Sequence, residues 1–391
     1  MAELETCISG CVGGELAAQH GLAPAFVADV ETSDEADGIF RLSTSLECSQ
    51  TSQEVDMSRY LAIDHGGTKT EMLVFDERGE VVYRADDRKL FKTGERRRLK
   101  WHQRLWRLCD QVFKEDGLLG FDETIISLNG INTERDRRIA VRDGKEQLHL
   151  ARVRVVGDSV AALRGSDLTM PDHAVCVVIC AGSGLNVALK MAGHPCQSLG
   201  CRISPSDHGG YGIGRRILDA SLDAHNEFGK PTMLKQLLQT HFHSRSFSLL
   251  LESVSCGQTA FAPEEFAPIL FKAAHLGDGV AVEIVDELAR RWAGYADLML
   301  RECCKKTVPN VRLYLSGGIF KDKYGVMETA VRKHAGQMVC QPDIQLSRFD
   351  PVVGCALLAL ERRYNGGIPQ EVLANLQRTL RGVNRRRYGR E

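Results

Sequence analysis

The stretch YLAIDHGGTKTEMLVFDERG, Tyr60 to Gly79, decides how this chain is read. An apolar run ends in Asp64, crosses Gly66 and Gly67 and a Thr68-Lys69-Thr70 step, and turns apolar again. The pattern predicts a strand over Tyr60–Asp64, a tight turn of small residues, and a second strand over Lys69–Asp76. DERG signals a further turn and a third strand over Glu80–Arg84. Glycine lets the backbone approach a ligand closely and adopt positive φ. Successive N–H groups in such a turn form a concave nest for an anion, and the hydroxyls of Thr68 and Thr70 add donors.

One such turn is also what an ordinary hairpin contains. Two more follow in this chain: CAGSGLN after the apolar run AVCVVI, and LSGGIF after NVRLY. Each ends a strongly apolar strand, and facing one another they would hold one nucleotide, two on its phosphates and one on its nucleoside. Between them, Leu105, Leu108, Cys109, Val112 and Phe113 fall on one helical stripe that Gly117 stops. ETIISLNG reads as a buried strand, and LHLARVRVVGD as another ending at Asp158, with a helix starting in SVAALRGS. The pattern then restarts. Strand, glycine turn and strand in AVCVVICAGSGLNVALKMAG precede a long helix from about Tyr211 to Glu227. Further helices are predicted over Pro263–His275 and Asp278–Lys305, the latter with Val282, Val285, Leu288, Ala289 and Trp292 in helical spacing. A last helix, DPVVGCALLALERRY, has proline at its start. The chain is therefore α/β, with two units that repeat an architecture but not a sequence.

With 391 residues, 43% hydrophobic, the chain can bury two cores. Fifty basic residues against 51 acidic leave no field that would favour nucleic acid or an acidic membrane. No apolar run approaches the ~20 residues that cross a bilayer, and no basic segment followed by an apolar one opens the chain as a secretory signal would. Residues 1–58, rich in Glu, Ser, Thr, Gly and Ala, read as a disordered extension with a short helix near Gly14–His20, and order begins near Arg59. The 13 cysteines are scattered through apolar segments and read as reduced, buried thiols of a cytoplasmic protein. Cys176 and Cys180 lie in a strand-like run without a second pair, which argues against zinc or an iron–sulfur cluster. His241 and His243 lack further spaced ligands and read as loop or surface residues. Trp101, Trp106 and Trp292 read as helix-packing residues. The basic runs GERRRLK (Gly94–Lys100) and RGVNRRRYGR (Arg381–Arg390) read as a solvated face and a flexible tail, with an RNA-binding or nuclear-import role as the other reading.

Asp64 precedes the first turn, where a carboxylate can hold Mg²⁺ through its water shell. Asp158 ends a strand before a helix, where a carboxylate can accept a proton from an attacking hydroxyl. Each alone could be a cap or a turn residue. No G-x-x-x-x-G-K-[ST] is present. GGYGIG (Gly209–Gly214) lacks the G-x-G-x-x-G spacing of a dinucleotide turn, and no G-x-S-x-G occurs.

Taken together, these residues resemble the sugar-kinase/Hsp70/actin superfamily, and within it the BadF/BadG/BcrA/BcrD ATPase family and its N-acetylglucosamine kinase branch, from about Arg59 to Tyr364. The resemblance implies two ribonuclease H-like, actin-like ATPase domains around a nucleotide cleft. Residues 59–160 plus 355–380 would form the first domain, 161–354 the second, and 381–391 a basic tail. AIDHGGTKT is similar to the first phosphate motif, which implies ATP contacts by Gly66, Gly67, Thr68, Lys69 and Thr70 with Mg²⁺ near Asp64. GDSVAAL is similar to the segment carrying the catalytic aspartate, implying Asp158. ICAGSGLN implies phosphate contacts by Ala181, Gly182, Ser183 and Gly184, and LSGGIF adenosine contacts by Gly317 and Gly318. SDHGGYGIGRR and LNGINTERDR imply sugar contacts by Asp207 and Asn132. PVVGCALLAL resembles the helix that closes back on the first domain. His65 stands where the family usually has glycine, His208 replaces a glutamate after Asp207, and GCRISPS stands where a tryptophan is usual. The resemblance implies ATP, Mg²⁺ and a small amino sugar as ligands, and a homodimer as in many relatives. It leaves an ATPase switch acting on a protein partner, or a binding protein without turnover, as other readings.

Overall fold

The computed structural model describes residues 58–91, 99–116, 120–150, 152–170, 174–259, 262–303, 310–383 and 386–389. The extension before Ser58 and most of the GERRRLK run lie outside them. So do Gly117 and the side chains of Val112 and Phe113. In chain order the elements are β1 (Arg59–His65), β2 (Thr70–Asp76), β3 (Val81–Lys89), α1 (Trp101–Asp116), β4 (Glu123–Leu128), α2 (Glu134–Leu148), β5 (Val153–Gly157) and α3 (Asp158–Arg164). There follow β6 (Val175–Ala181), β7 (Leu185–Lys190), β8 (Gln197–Ser198), α4 (Gly210–His225), α5 (Leu234–His241), α6 (Phe247–Ser255), α7 (Ala267–His275) and α8 (Gly279–Cys303). The chain ends with β9 (Val311–Ser316), α9 (Val326–Ala335), β10 (Asp343–Leu346), α10 (Pro351–Arg363), α11 (Gln370–Gly382) and β11 (Arg386–Gly389).

The strands form two sheets, ordered β11-β3-β2-β1-β4-β5 and β10-β9-β6-β7-β8. With β11 set aside, both read third-second-first-fourth-fifth in their own chain order. In each, an antiparallel hairpin opens the unit and the later strands run parallel to its first strand. The duplicated architecture expected from the sequence is therefore present in the pairing. Parallel central strands are covered on both faces, which is why β6 reads as the nearly unbroken apolar run VCVVICA. Val175, Val177 and Ile179 join the core under α4, α7 and α8, while Cys176 and Val178 face Ala162 and Leu163 of α3. In the first sheet Leu61, Ile63, Met72 and Val74 pack on Leu105, Leu108 and Cys109 of α1. Tyr60, Ala62, Leu73 and Phe75 pack on α10 and α11.

Helix α3 lies between the two cores. Its Ala161 belongs to the first, and Ala162 and Leu163 to a cluster on the second sheet. It crosses α10 so closely that a Cβ on Gly354 would stand 1.9 Å from the Ala161 carbonyl oxygen.

Several expectations are corrected. Helix α2 occupies part of what reads as a loop and strand, so β5 begins only at Val153. Its sequence is mostly charged, and its apolar stripe is short, with Ala140 and Gly144 buried and Val141 and Leu148 packed beside them. The signal present is the Thr133–Asp136 capping box. Val282 (47% exposed) falls outside the buried stripe of α8, and Trp106 (50%) faces solvent, whereas Trp292 is fully buried. The basic tail is not wholly irregular, since Arg386–Gly389 pairs in parallel with β3. Among the nine described cysteines none is paired, and Cys201 and Cys256 are exposed instead of buried. Among the described residues no helix is long and apolar enough to cross a membrane, and no His/Cys/Asp/Glu group has the arrangement of a metal cluster.

Candidate active site

The first glycine turn joins β1 to β2 and is closed by the Gly66 N–H donating to the Lys69 carbonyl at 2.9 Å. It is braced from below by buried polar groups. The Thr70 N–H donates to Asp87 Oδ1 at 2.6 Å, and His65 Nδ1 lies 2.8 Å from Thr70 Oγ1. Lys69 Nζ donates to Glu71 Oε2 at 2.8 Å, and Arg84 Nε donates to Glu71 Oε1 at 2.8 Å. Arg84 continues to Asp350, the N-cap of α10, at 3.3 Å, and Lys321 reaches the same carboxylate at 2.6 Å. His65, the departure from the expected glycine, is thus fully buried and part of the bracing.

The second turn, Gly182–Gly184, joins β6 to β7. Its carbonyls accept from the start of α4: the Gly210 N–H donates to Gly182 O at 2.7 Å, and the Tyr211 N–H to Ser183 O at 2.9 Å. The four glycines of SDHGGYGIGRR are packing requirements. A Cβ would meet backbone at 2.3 Å on Gly209, 2.5 Å on Gly210, 2.8 Å on Gly212 and 2.0 Å on Gly214. Gly317 of the third turn, at φ +102°, has the Ala181 carbonyl where its Cβ would be, 2.2 Å away. No L side chain fits that conformation or that space. On Gly182 and Gly318, by contrast, an added Cβ meets nothing within 4 Å among the described residues. These two positions face open space.

The turns meet. A Cβ on Gly67 would lie 2.3 Å from Ser183 Oγ, so the first turn touches the second directly. Beside this contact stand both aspartates. Asp64 is buried, and Ser127 at the end of β4 donates its hydroxyl to Asp64 Oδ1 at 2.9 Å. Burial pushes the Asp64 carboxyl up to about 7, against the pull of Ser127 and Lys69. Asp158 opens α3 and is half-buried. Its Oδ1 accepts from the Ser159 N–H at 2.7 Å and from Asn186 Nδ2 at 3.5 Å. Burial raises its pKa, and the Ser159 and Asn186 donors oppose that. Burial also lifts the Cys180 thiol well above its ordinary value, with the Asp158 and Asp64 charges adding to it. Cys180 is therefore an unreactive neighbour of the aspartate pair.

Asn186 was visible in CAGSGLN without a role. It is a positioning residue, since its Oδ1 also accepts from the Val187 and Gly200 N–H groups at 2.9 and 3.2 Å. Gly200 in turn abuts the Asn132 carboxamide, which would lie 2.9 Å from a Cβ there. Asn132 is exposed, just ahead of α2, and shares this wall with Asp158.

Asp207 is placed otherwise than expected. It is fully buried, and its carboxylate accepts from Arg291 Nε, from Tyr295 Oη at 2.7 Å and from Arg216 at 3.4 Å. Its carbonyl accepts from Trp292 Nε1 at 2.8 Å. In this conformation its carboxylate has no exposed surface, and it ties the loop before α4 to α8. His208 does reach the site, its Nδ1 3.5 Å from where a Gly184 Cβ would be. Burial lowers its pKa and so favours the neutral imidazole.

Two lobes with repeated topology, three glycine turns at their strand ends and a pair of aspartates beside them are the arrangement of an actin-like ATPase fold. The BadF/BadG/BcrA/BcrD ATPase family model matches residues 61–359, and the chain belongs to that family. The curated N-acetyl-D-glucosamine kinase of Dictyostelium discoideum is 23% identical over 320 residues, covering 78% of this chain and 98% of that protein. A solved candidate N-acetylglucosamine kinase from Chromobacterium violaceum superimposes with TM-score 0.56 at 17% identity, covering 78% of this chain and 99% of that one. A ROK family transcriptional regulator homologous to the E. coli MLC protein gives TM-score 0.52 at 14% identity, with 81% of each chain covered. A kinase-like protein and a regulator on one fold show why the site, and not the architecture, must carry the functional argument.

Proposed function

We propose that this chain is an ATP-dependent sugar kinase of the cytoplasm that phosphorylates N-acetylglucosamine or a related amino sugar, at its 6-hydroxyl. The observation that supports it most is Asp158. Its carboxylate stands half-buried at the meeting of the glycine turns, oriented by the Ser159 N–H and Asn186, with its pKa raised by burial. A carboxylate so placed accepts the proton of the sugar hydroxyl as that oxygen bonds to the γ-phosphorus. The bond from the γ-phosphorus to the bridging oxygen breaks, and ADP leaves. The turns at 66–70 and 181–184 would hold the phosphates, and Gly317 and Gly318 the adenosine. Asp64 suits Mg²⁺, because a buried carboxylate held up near 7 gains from a cation that neutralises it. When bound, Mg²⁺ would offset charge on the phosphates. Asn132 would face the sugar, while Asp207 holds the loop that presents His208.

The test is ADP release from Mg²⁺-ATP, with and without a panel of sugars led by N-acetylglucosamine and glucosamine. Asp158→Asn should lower sugar-dependent release about a thousandfold with nucleotide affinity nearly unchanged. A variant with wild-type turnover would remove Asp158 from the reaction. Because Asp207 is sealed off, a second reading stays open to the same assay: release that no sugar affects would identify an ATPase switch.

A further inference from the structure

A second cavity lies at the other end of the first sheet. It has a volume of about 610 Å³ and is lined by Ser58 and Tyr60 at the start of β1, Asp122 and Glu123 at β4, and Arg152 at β5. Lys145 of α2 and Arg362 and Arg363 of α10 also line it. β1, β4 and β5 run parallel, so these are their amino ends, while Asp64, Ser127 and Asp158 mark their carboxyl ends. The cavity is therefore separate from the nucleotide cleft, and its volume is that of a small-molecule site.

Its charges do not balance internally. Glu123 accepts from Arg362 at 3.1 Å and lies 3.7 Å from Arg154. Asp122 Oδ2 accepts the Arg59 N–H at 2.9 Å, and Arg363 pairs with Glu77 at 3.0 Å. Lys145 and Arg152 have no carboxylate partner among the described residues, and both are exposed. Two cations are thus left unpaired in the lining, against one carboxylate, Asp122, that bonds only a backbone N–H. Its volume suits a small molecule more than a polymer, which would need a long groove. A guanidinium and an ammonium lining one cavity suit a compact oxyanion.

We propose that this cavity binds a small phosphate ester of the sugar-phosphate kind, with Arg152 and Lys145 on the phosphate and the Tyr60 side of the pocket on the polyol. The inference is independent of whether the cleft phosphorylates a sugar. Titration calorimetry of the full chain with glucose 6-phosphate as probe tests it. Saturable binding at millimolar or lower concentration is expected, weakening with added salt. The double variant K145A/R152A should lose about tenfold or more in affinity, and K145R/R152K should largely recover it. Both side chains are exposed, so folding should be unaffected, as a matching thermal melt would show. Unchanged affinity in K145A/R152A, equal binding of neutral glucose, or no saturable binding would each overturn the proposal.

Discussion

The first two glycine turns occupy equivalent places in a repeated topology, yet they are held by opposite means. The first rests on buried charge: Asp64, His65, Glu71, Asp86 and Asp87 are all buried around its strands. Its fixed points are side-chain hydrogen bonds and the Lys69–Glu71–Arg84 ion-pair chain. The second rests on backbone against backbone, with Gly210 and Tyr211 N–H groups on the turn carbonyls and no room for a Cβ at four successive glycines. A charged support changes its energy with protonation or with a bound cation. A close-packed backbone does not. The first turn is therefore the one that can respond to ligand, and the second is the fixed wall it works against.

The largest effect expected from this contrast is at Asp64. Burial holds its folded pKa at about 7, above the ordinary aspartate value of 3.8. A raised carboxyl pKa means that the folded state holds the proton more tightly than the unfolded one. The stability it contributes is present at low pH, is lost as pH rises from about 4 to 7, and is constant above that. Asp64→Asn keeps an acceptor for Ser127 and removes the titration. Without nucleotide or metal, the variant should be more stable than wild type above pH 7, by up to roughly 4 kcal/mol, and no more stable near pH 4. Thermal melts across that range measure it, and a difference independent of pH would break the assignment of a responsive first turn.

The fixed wall predicts a smaller change that pH does not move. Gly214→Ala places a methyl 2.0 Å from the Pro263 carbonyl oxygen. The helix-propensity gain of about 1 kcal/mol is outweighed by overpacking, for a net loss of about 2–3 kcal/mol. Gly182→Ala, where a Cβ meets open space, should leave the melting midpoint unchanged and weaken nucleotide binding instead. If Gly214→Ala melts like wild type, the second turn is not held by close packing.

How much of this was legible follows from the same contrast. Apolar strands running into glycine turns showed the duplicated fold, because burial on both faces writes itself as composition. Asp64 and Asp158 could be singled out because each ends an apolar strand, Asp64 before a glycine turn and Asp158 before a helix. Asn186 and Ser127 could not, since an amide or hydroxyl in a strand acquires a role only once the facing strand is placed. The burial of Asp207 was hidden for the converse reason. Arg216, Arg291 and Tyr295, which cover it, lie 9, 84 and 88 residues further on, and only the packing of α4 and α8 brings them to it. Helix α2 was missed because its apolar face, Ala140, Val141, Gly144 and Leu148, is short and set among charged residues.

The smallest effect probes the contact between the turns themselves. Gly67→Ala directs a methyl to within 2.3 Å of Ser183 Oγ and 3.2 Å of its Cβ. A serine hydroxyl can rotate aside, so the cost is modest, about 1 kcal/mol. Ser183→Gly removes both atoms and so makes room for that methyl. In a double-mutant cycle read by thermal melting, the pair should be less destabilised than the sum of the singles, with a coupling of about 0.5–1 kcal/mol. Nucleotide affinity should follow the same order, since a methyl that forces the turns apart also widens the phosphate nest. Strict additivity in both readouts would mean that the turns do not touch in solution. The responsive and the fixed half of the site would then meet only through the ligand.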